Sequence, residues 1–418
     1  MSYKLIALSF FALILNLTLY AQIKLVDELN DRIIPIDSNE NLGYSISKES
    51  LLKILDGKKV IGIGEATHGT KDFIDLRLSL IKNLVENLNY KLIVVECDYS
   101  STLAINEYIC YDKGTLKTAL KSMGFWMFDN NDFIPTVEWL KAYNKSQPQI
   151  DKVRFYGCDM QAPLIINDIS DGKTILNKPL SSDGMESLKI LNNFSKTKLS
   201  KYELDKLYKL KLEINLQIQE VSAPETIING LETIIQRIDH RIIGPGKDQY
   251  EFRDKAMATN FDRIYKQAGG CKTVLLAHNL HVGKVSNQPG LKVSLGGELS
   301  KKYGVSYYAL GTTFYSGNVS AIDRDSKKFK TFYVEQNNKK FIEYIFNRLE
   351  KNNFLLDFKI INQDSDIDSW LRKPISIRNI GAAFSLSNSD DENTSRSIVP
   401  YETYDGIIFL KNTNALNL

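Results

Sequence analysis

The sequence predicts an α/β fold: a mainly parallel central sheet flanked by helices, with a helical insertion or cap. Three observations carry this. Five short apolar runs, at 59–63, 91–97, 153–158, 273–277 and 305–311, are rich in Val, Ile, Leu or Tyr, as buried parallel strands are. Amphipathic helical stretches separate them, and strands alternating with helices give a sheet covered on both faces. A Lys- and Leu-rich stretch, 183–240, interrupts the alternation and contains no strand-like run.

In chain order, residues 1–21 read as a cleavable export signal. Lys4 gives the positive start, 5–15 is almost wholly apolar, and Ala21 is the small residue before a cut at Gln22. A membrane anchor is the alternative, but Asn16 and Thr18 break the apolar stretch and leave it short for a span. The expected product is a periplasmic or secreted domain over 22–418. The first strand, 59–63, runs into Gly64-Glu65-Ala66-Thr67-His68-Gly69, a turn that opens a helix over 72–88. Phe73, Leu76, Leu80, Ile81, Leu84 and Leu88 recur along it at helical spacing. The second strand carries Glu96 at its end, with Asp98 just beyond. A helix over 132–144 has Pro135 in its first turn and Val137 and Leu140 on one side. The third strand ends in Asp159. Residues 183–240 predict two or more helices, either a solvated hairpin or a cap over the strand ends. A helix over 248–267, with Tyr250, Met257, Phe261 and Ile264 on one stripe, leads to the fourth strand, which is followed by His278 and His281. Beyond 305–311, residues 355–418 read as an irregular extension with short strands at 358–361 and 406–410 and a mobile loop over 387–396.

The chain has 418 residues, with 53 Lys and Arg against 50 Asp and Glu, a net charge of +3. That balance gives no electrostatic case for nucleic acid or a membrane surface as a partner. No segment after the first 21 residues approaches the ~20 apolar residues of a membrane helix. Cys97, Cys110, Cys158 and Cys271 form no CxxC pair, and their apolar surroundings suit core thiols.

Ligands of such sheets bind outside the carboxyl ends of the strands. Here the first four strands all end in acids or imidazoles, and three of the four histidines are among them. Glu65 and His68, three apart, suit a carboxylate orienting an imidazole as a general base. The bland alternative is helix capping by Thr67 with an acid in the first turn. His278 and His281 can polarise a carbonyl. With Glu65, His68 or Glu96 they can also hold a divalent metal, although the HExxH pattern is absent. Arg77 and Arg253 fall on the apolar stripes of their helices, so each needs a carboxylate partner or a substrate group. Glu96 and Asp98 can pair with Arg77, bind a cation, or act as acid or base. No GxSxG elbow, Walker A loop or complete dinucleotide fingerprint occurs.

The segments GEATHGTKDFIDLRLSLIKNLV, IVVECD, FWMFDNNDF with VEWLKAYN, VRFYGCDMQ, RDKAMATN and LLAHNLHVGK follow one another over residues 60–284. In this they resemble the erythromycin esterase family, with a weaker match to about residue 315. The resemblance implies an α/β core with helical additions and hydrolysis of a carboxylic ester or macrolactone without a serine nucleophile or a cofactor. It makes His68 the base that activates water and Glu65 its supporting carboxylate. Arg77, His278, His281 and Glu96 match further active-site positions. Arg253 and Asp159 lie in family motifs as candidate substrate contacts. The export signal departs from what a macrolide-resistance enzyme working inside the cell would carry, which argues against erythromycin as the physiological substrate but leaves the ester or lactone chemistry unchanged.

Overall fold

Among the described residues, eleven strands form one sheet and two more form a separate pair. The computed structural model describes residues 20–417 apart from 21, 40–42, 162, 174–175, 177, 194–197, 220–223, 287, 289 and 386–394. The expected export signal falls, but for Tyr20, outside the described residues, as does 387–394. Residues 395 and 396, expected in a loop, begin a strand.

In chain order the strands are β1 (Ile34–Asn39), β2 (Gly43–Ile46), β3 (Val60–Ile63), β4 (Leu92–Asp98), β5 (Arg154–Asp159), β6 (Thr273–Leu276), β7 (Tyr307–Asp323), β8 (Phe329–Glu335), β9 (Asn353–Asp357), β10 (Ile375–Arg378), β11 (Ala383–Phe384), β12 (Ser395–Ile398) and β13 (Gly406–Thr413). The sheet runs β2-β1-β9-β13-β7-β3-β6-β4-β5, with β8 and β11 on β7, and β10 pairs with β12. From β13 to β5 all neighbours are parallel, whereas β9, β1 and β2 continue antiparallel. The chain moves from β3 outward to β4 and β5, returns to β6, then crosses to β7 on the other side. The gap beside β3 is therefore a topological switch point, where such sheets bind ligands.

The helices used below are α1 (Lys71–Leu88), α2 (Ile134–Lys145), α3 (Ser182–Asn192), α4 (Lys201–Gln219), α5 (Glu225–Ile243), α6 (Lys247–Gln267) and α7 (Asn279–Val282). Alternate strand residues face opposite ways. Ile61, Ile63, Ile93, Val95, Val274 and Leu276 pack with Phe73, Leu76 and Leu80 of α1 and Val137 and Leu140 of α2. Val60, Leu92, Val94 and Leu275 pack with Met257, Phe261 and Ile264 of α6. Helices thus cover both faces, as the strand–helix alternation requires. α1 ends because Asn89 adopts the left-handed conformation, φ 60°, and returns its N–H to Leu84.

The insertion forms three helices, α3 to α5, around a separate core of Leu188, Leu207, Leu210, Ile214, Leu231 and Ile234. It docks on α6 through Asn229–Gln267 and Gln236–Asn260 side-chain hydrogen bonds. α5 turns Arg237 and His240 inward. Burial, then the charges of Arg237 and Arg253, push the His240 imidazole down to about 4, so this helix borders the strand-end rim.

Three expectations need correction. Tyr250 is exposed, because the buried stripe of α6 begins with Asp254. Residues 358–360 form a 3-10 turn capped by the Asp357 side chain, and the strand lies just before it, at β9. The region 355–418 is no irregular extension. Its β13 lies between β7 and β9 in mid-sheet, and Gly406-Ile407-Ile408-Phe409-Leu410 is buried throughout. An unbroken apolar run is the mark of a strand covered on both faces.

Candidate active site

Register sets the rim. Ile63 pairs with Leu276, which pairs with Val95, so β3 and β6 end level and β4 runs on past them to Asp98. Glu65, His278 and Glu96 follow within two residues, and Asp159 lies opposite Asp98 on β5. The β3 and β6 turns are latched together. Asn279 donates its backbone N–H to the Glu65 carbonyl at 2.9 Å, and its amide donates to Thr312 O at 2.7 Å. Both glycines of the first motif answer to close approach. A Cβ on Gly64 would collide with the Asn279 side chain, and one on Gly69 with the Ser320 backbone of β7. Thr67 does not cap α1. Its hydroxyl accepts from Gly69 N at 3.2 Å, and Thr70 occupies the cap position.

The first cluster is His68, Glu65 and Arg77. His68 Nδ1 lies 2.7 Å from Glu65 Oε1, and Arg77 Nη1 donates to Glu65 Oε2 at 2.6 Å. Arg77 Nη2 donates to the carbonyls of Ile63 at 3.0 Å and Ala277 at 2.6 Å, tying α1 to the ends of β3 and β6. With Nδ1–H donated to the carboxylate, the imidazole carries its lone pair on Nε2. No residue among those described hydrogen-bonds that nitrogen.

The second cluster is His281, Asp254, Glu96, Arg253 and Asp159. His281 Nδ1 lies 2.6 Å from Asp254 Oδ1, and Nε2 lies 3.2 Å from Glu96 Oε1. Burial opposes a charge here, but Glu96 and Asp254 together raise the imidazole to about 10, so it is a cation at neutral pH. The 3.2 Å approach of Arg253 Nη1 to His281 Nε2 is then a contact between two donors, not a hydrogen bond. Arg253 Nη2 donates to Glu96 Oε1 at 2.8 Å and to Asp159 Oδ2 at 2.7 Å. Burial alone would raise the Glu96 carboxyl, but His281 and Arg253 hold it well below its usual range.

His278 stands between the clusters. Its ring lies 5.0 Å from that of His68. Nδ1 accepts from Leu280 N at 3.3 Å, capping α7, and Nε2 donates to Ile380 O at 3.2 Å. Burial, then the neighbouring His68, lowers it to about 3, so it is neutral. Its backbone N–H donates to Glu96 Oε2 at 2.8 Å.

Eight of the nine residues singled out in the sequence, all but Asp98, therefore meet on one rim. Arg77 pairs with Glu65 rather than with Glu96 or Asp98. Asp98 is fully buried beside Asp159, and its carboxylate accepts from Ser100 and Ser101 rather than from an arginine or a histidine. Asp254 was not singled out, although its spacing to Met257, Phe261 and Ile264 puts it on the buried stripe of α6. As metal ligands the residues fit poorly. Among those described no three His, Cys, Asp or Glu side chains form a metal-binding group. The imidazole nitrogens of His278 and His281 are already taken. All four cysteines are free thiols, three buried and Cys271 half-buried.

A sequence profile described as erythromycin esterase matches residues 85–413. Erythromycin esterase type II of Escherichia coli is 24% identical over 379 residues, covering 80% of this chain and 89% of that protein. A crystal structure of a Bacillus cereus protein superposes with a TM-score of 0.78 at 20% identity, covering 95% of this chain and 98% of that one. A mutant erythromycin esterase, EreC, in its open conformation superposes at 0.64 with 16% identity, covering 88% and 95%. These two share the fold: a large, mainly parallel sheet with helices on both faces. The profile spans most of the chain, and the chain belongs to the erythromycin esterase family.

Proposed function

We propose that the protein hydrolyses a small-molecule carboxylic ester or lactone with water activated by His68. The observation that carries this is the His68 imidazole, anchored at Nδ1 on Glu65 and open at Nε2. In this scheme Nε2 takes a proton from water, and Glu65 steadies the imidazolium that forms. The hydroxide adds to the ester carbonyl carbon. The resulting oxyanion is stabilised by the rim's cations, Arg77 beside His68 and His281 beyond it. Collapse breaks the bond to the alcohol oxygen, which recovers the proton from His68, leaving an acid and an alcohol. Arg253 and Asp159 serve here as positioning residues that hold Glu96 and His281. The scheme needs no metal: the His278 and His281 nitrogens already have other partners, and the open His68 Nε2 is used to take the proton from water. The amino-terminal sequence alone supports action in the periplasm or outside the cell.

The test is a mass-resolved panel of simple esters, lactones and macrolides, run after exhaustive chelation. Cleavage of at least one member by the wild-type protein is expected. Binding without any mass change, or activity that returns only with a stoichiometric metal, overturns the reading.

A further inference from the structure

We propose that the acid side of the ester is short, an acetyl group or one carbon more, because a small preformed pocket opens beside His68. This rests on the hydrolytic reading above and narrows its substrate class. Glu65, His68 and Arg77 make one polar side of the pocket. Ile74 and Ile81 of α1, with Met127, Phe128 and Phe133 from the segment before α2, make its apolar walls. The free space admits about one water-sized or methyl-sized group. Arg77 lies in the lining with Nε buried and without a hydrogen-bond partner among the described residues. An arriving acyl carbonyl would supply the acceptor that this donor lacks.

The walls are held firmly. The Asn130 side chain donates to Trp126 O at 3.0 Å and accepts from Phe133 N at 3.0 Å, which closes the turn that carries Met127 and Phe128. Asp132 accepts from the backbone and side chain of Asn417 at 2.7 and 2.8 Å, pinning the turn to the end of the chain. Phe128 and Phe133 meet edge to face at 5.4 Å, and the Trp126 ring meets Phe329 at 5.2 Å. Behind them Ile81 is fully buried. A chain longer than two or three carbons would have to displace packed core atoms, which close-packed interiors resist. A methyl group would sit against apolar walls beside the water that His68 activates. The large, variable part of the substrate is then its alcohol, on the side where the helical insertion borders the rim.

The experiment measures kcat/KM for p-nitrophenyl acetate, propionate, butyrate and hexanoate, with His68→Ala as the background. A fall of about tenfold or more from acetate to butyrate is expected, the scale on which hydrophobic pockets reject added methylenes. Met127→Ala and Phe128→Ala should each raise the butyrate-to-acetate ratio about fivefold or more. That ratio is independent of how much of a variant is folded, and the less buried Met127 guards against a failure of Phe128→Ala to fold. A flat or rising series in the wild type, or an unchanged ratio in both variants, overturns the short-acyl pocket while leaving hydrolysis intact. A wild type that cleaves none of the four above background, yet cleaves a member of the wider ester and lactone panel, also overturns the short-acyl pocket, and one that cleaves nothing in either set overturns the hydrolytic reading itself.

Discussion

His68 and His281 each rest on a carboxylate through Nδ1, at 2.7 and 2.6 Å, yet the two ends of the rim do different work. Glu65, beneath His68, is shared with Arg77, and no residue among those described hydrogen-bonds Nε2. His281 has Asp254 on one nitrogen and Glu96 on the other, so both are donors and the ring is a lasting cation. The lesson is that a histidine's task follows from how many carboxylates it meets and who else holds them. One shared carboxylate leaves the second nitrogen of His68 open; two carboxylates make His281 a fixed positive charge. His278, with backbone partners only, is a neutral spacer.

The comparison breaks most easily at His68. Its replacement by Ala is expected to lower kcat/KM about 100- to 10,000-fold with the circular dichroism spectrum unchanged, the usual worth of a general base. Full activity in that variant would show that the open nitrogen is incidental.

Glu65→Gln comes next. It loosens the ring and leaves the Arg77 charge buried without its partner, and breaking a buried pair costs about 3–5 kcal/mol. An activity loss of roughly ten- to a hundredfold is expected if Glu65 supports the base. A drop in melting temperature should accompany it, and an unaltered melting curve would show that Arg77 does not depend on Glu65.

Asp254→Asn probes the other end. The His281 pKa is raised from the ordinary 6.5 to about 10, so its stabilisation is complete below about 6.5 and is lost as pH rises to about 10. With Asp254 neutralised the folded pKa falls, and the alkaline loss of stability should finish at a lower pH. Melting temperatures recorded from pH 6 to 10.5 would reveal this, and superimposable curves would refute the two-carboxylate account. Activity should fall too, more at pH 9 than at pH 7.

His278 gives the smallest effect. Its pKa is depressed to about 3, so its contribution is present above 6.5 and is lost as pH falls toward 3. In His278→Asn, which keeps a capping side chain, the acid side of the stability curve should be shallower. An unchanged acid limb would mean that the ring titrates normally in the fold.

Five of the parallel strands, β3 to β7, were legible because each is largely buried and so carries a mostly apolar run. The site was legible because strand ends carry the chemistry in such sheets. Partner choice was not. Nothing in the spacing told whether Arg77 would reach Glu65 or Glu96, since that depends on how far α1 leans over β3. Asp254 was hidden in the polar string Arg253-Asp254-Lys255, where it looks solvated until the periodicity of α6 is followed back. The place of β13 was invisible for another reason. Its residues announce a strand, but strand order is a property of the whole chain and not of eight residues.

β13 also constrains the order of assembly. The hairpin β1–β2 is synthesised before every other strand described, yet it joins the sheet only through β9, which is anchored by β13. The earliest strands therefore wait on the latest to leave the ribosome, and four of the eleven strands, β2, β1, β9 and β13, stay apart from the rest until synthesis has passed residue 413. Such long-range closure slows folding. It also makes β13 a keystone, so a nonsense codon before residue 406 would forfeit the place of β1 and β2 in the sheet as well as β13 itself.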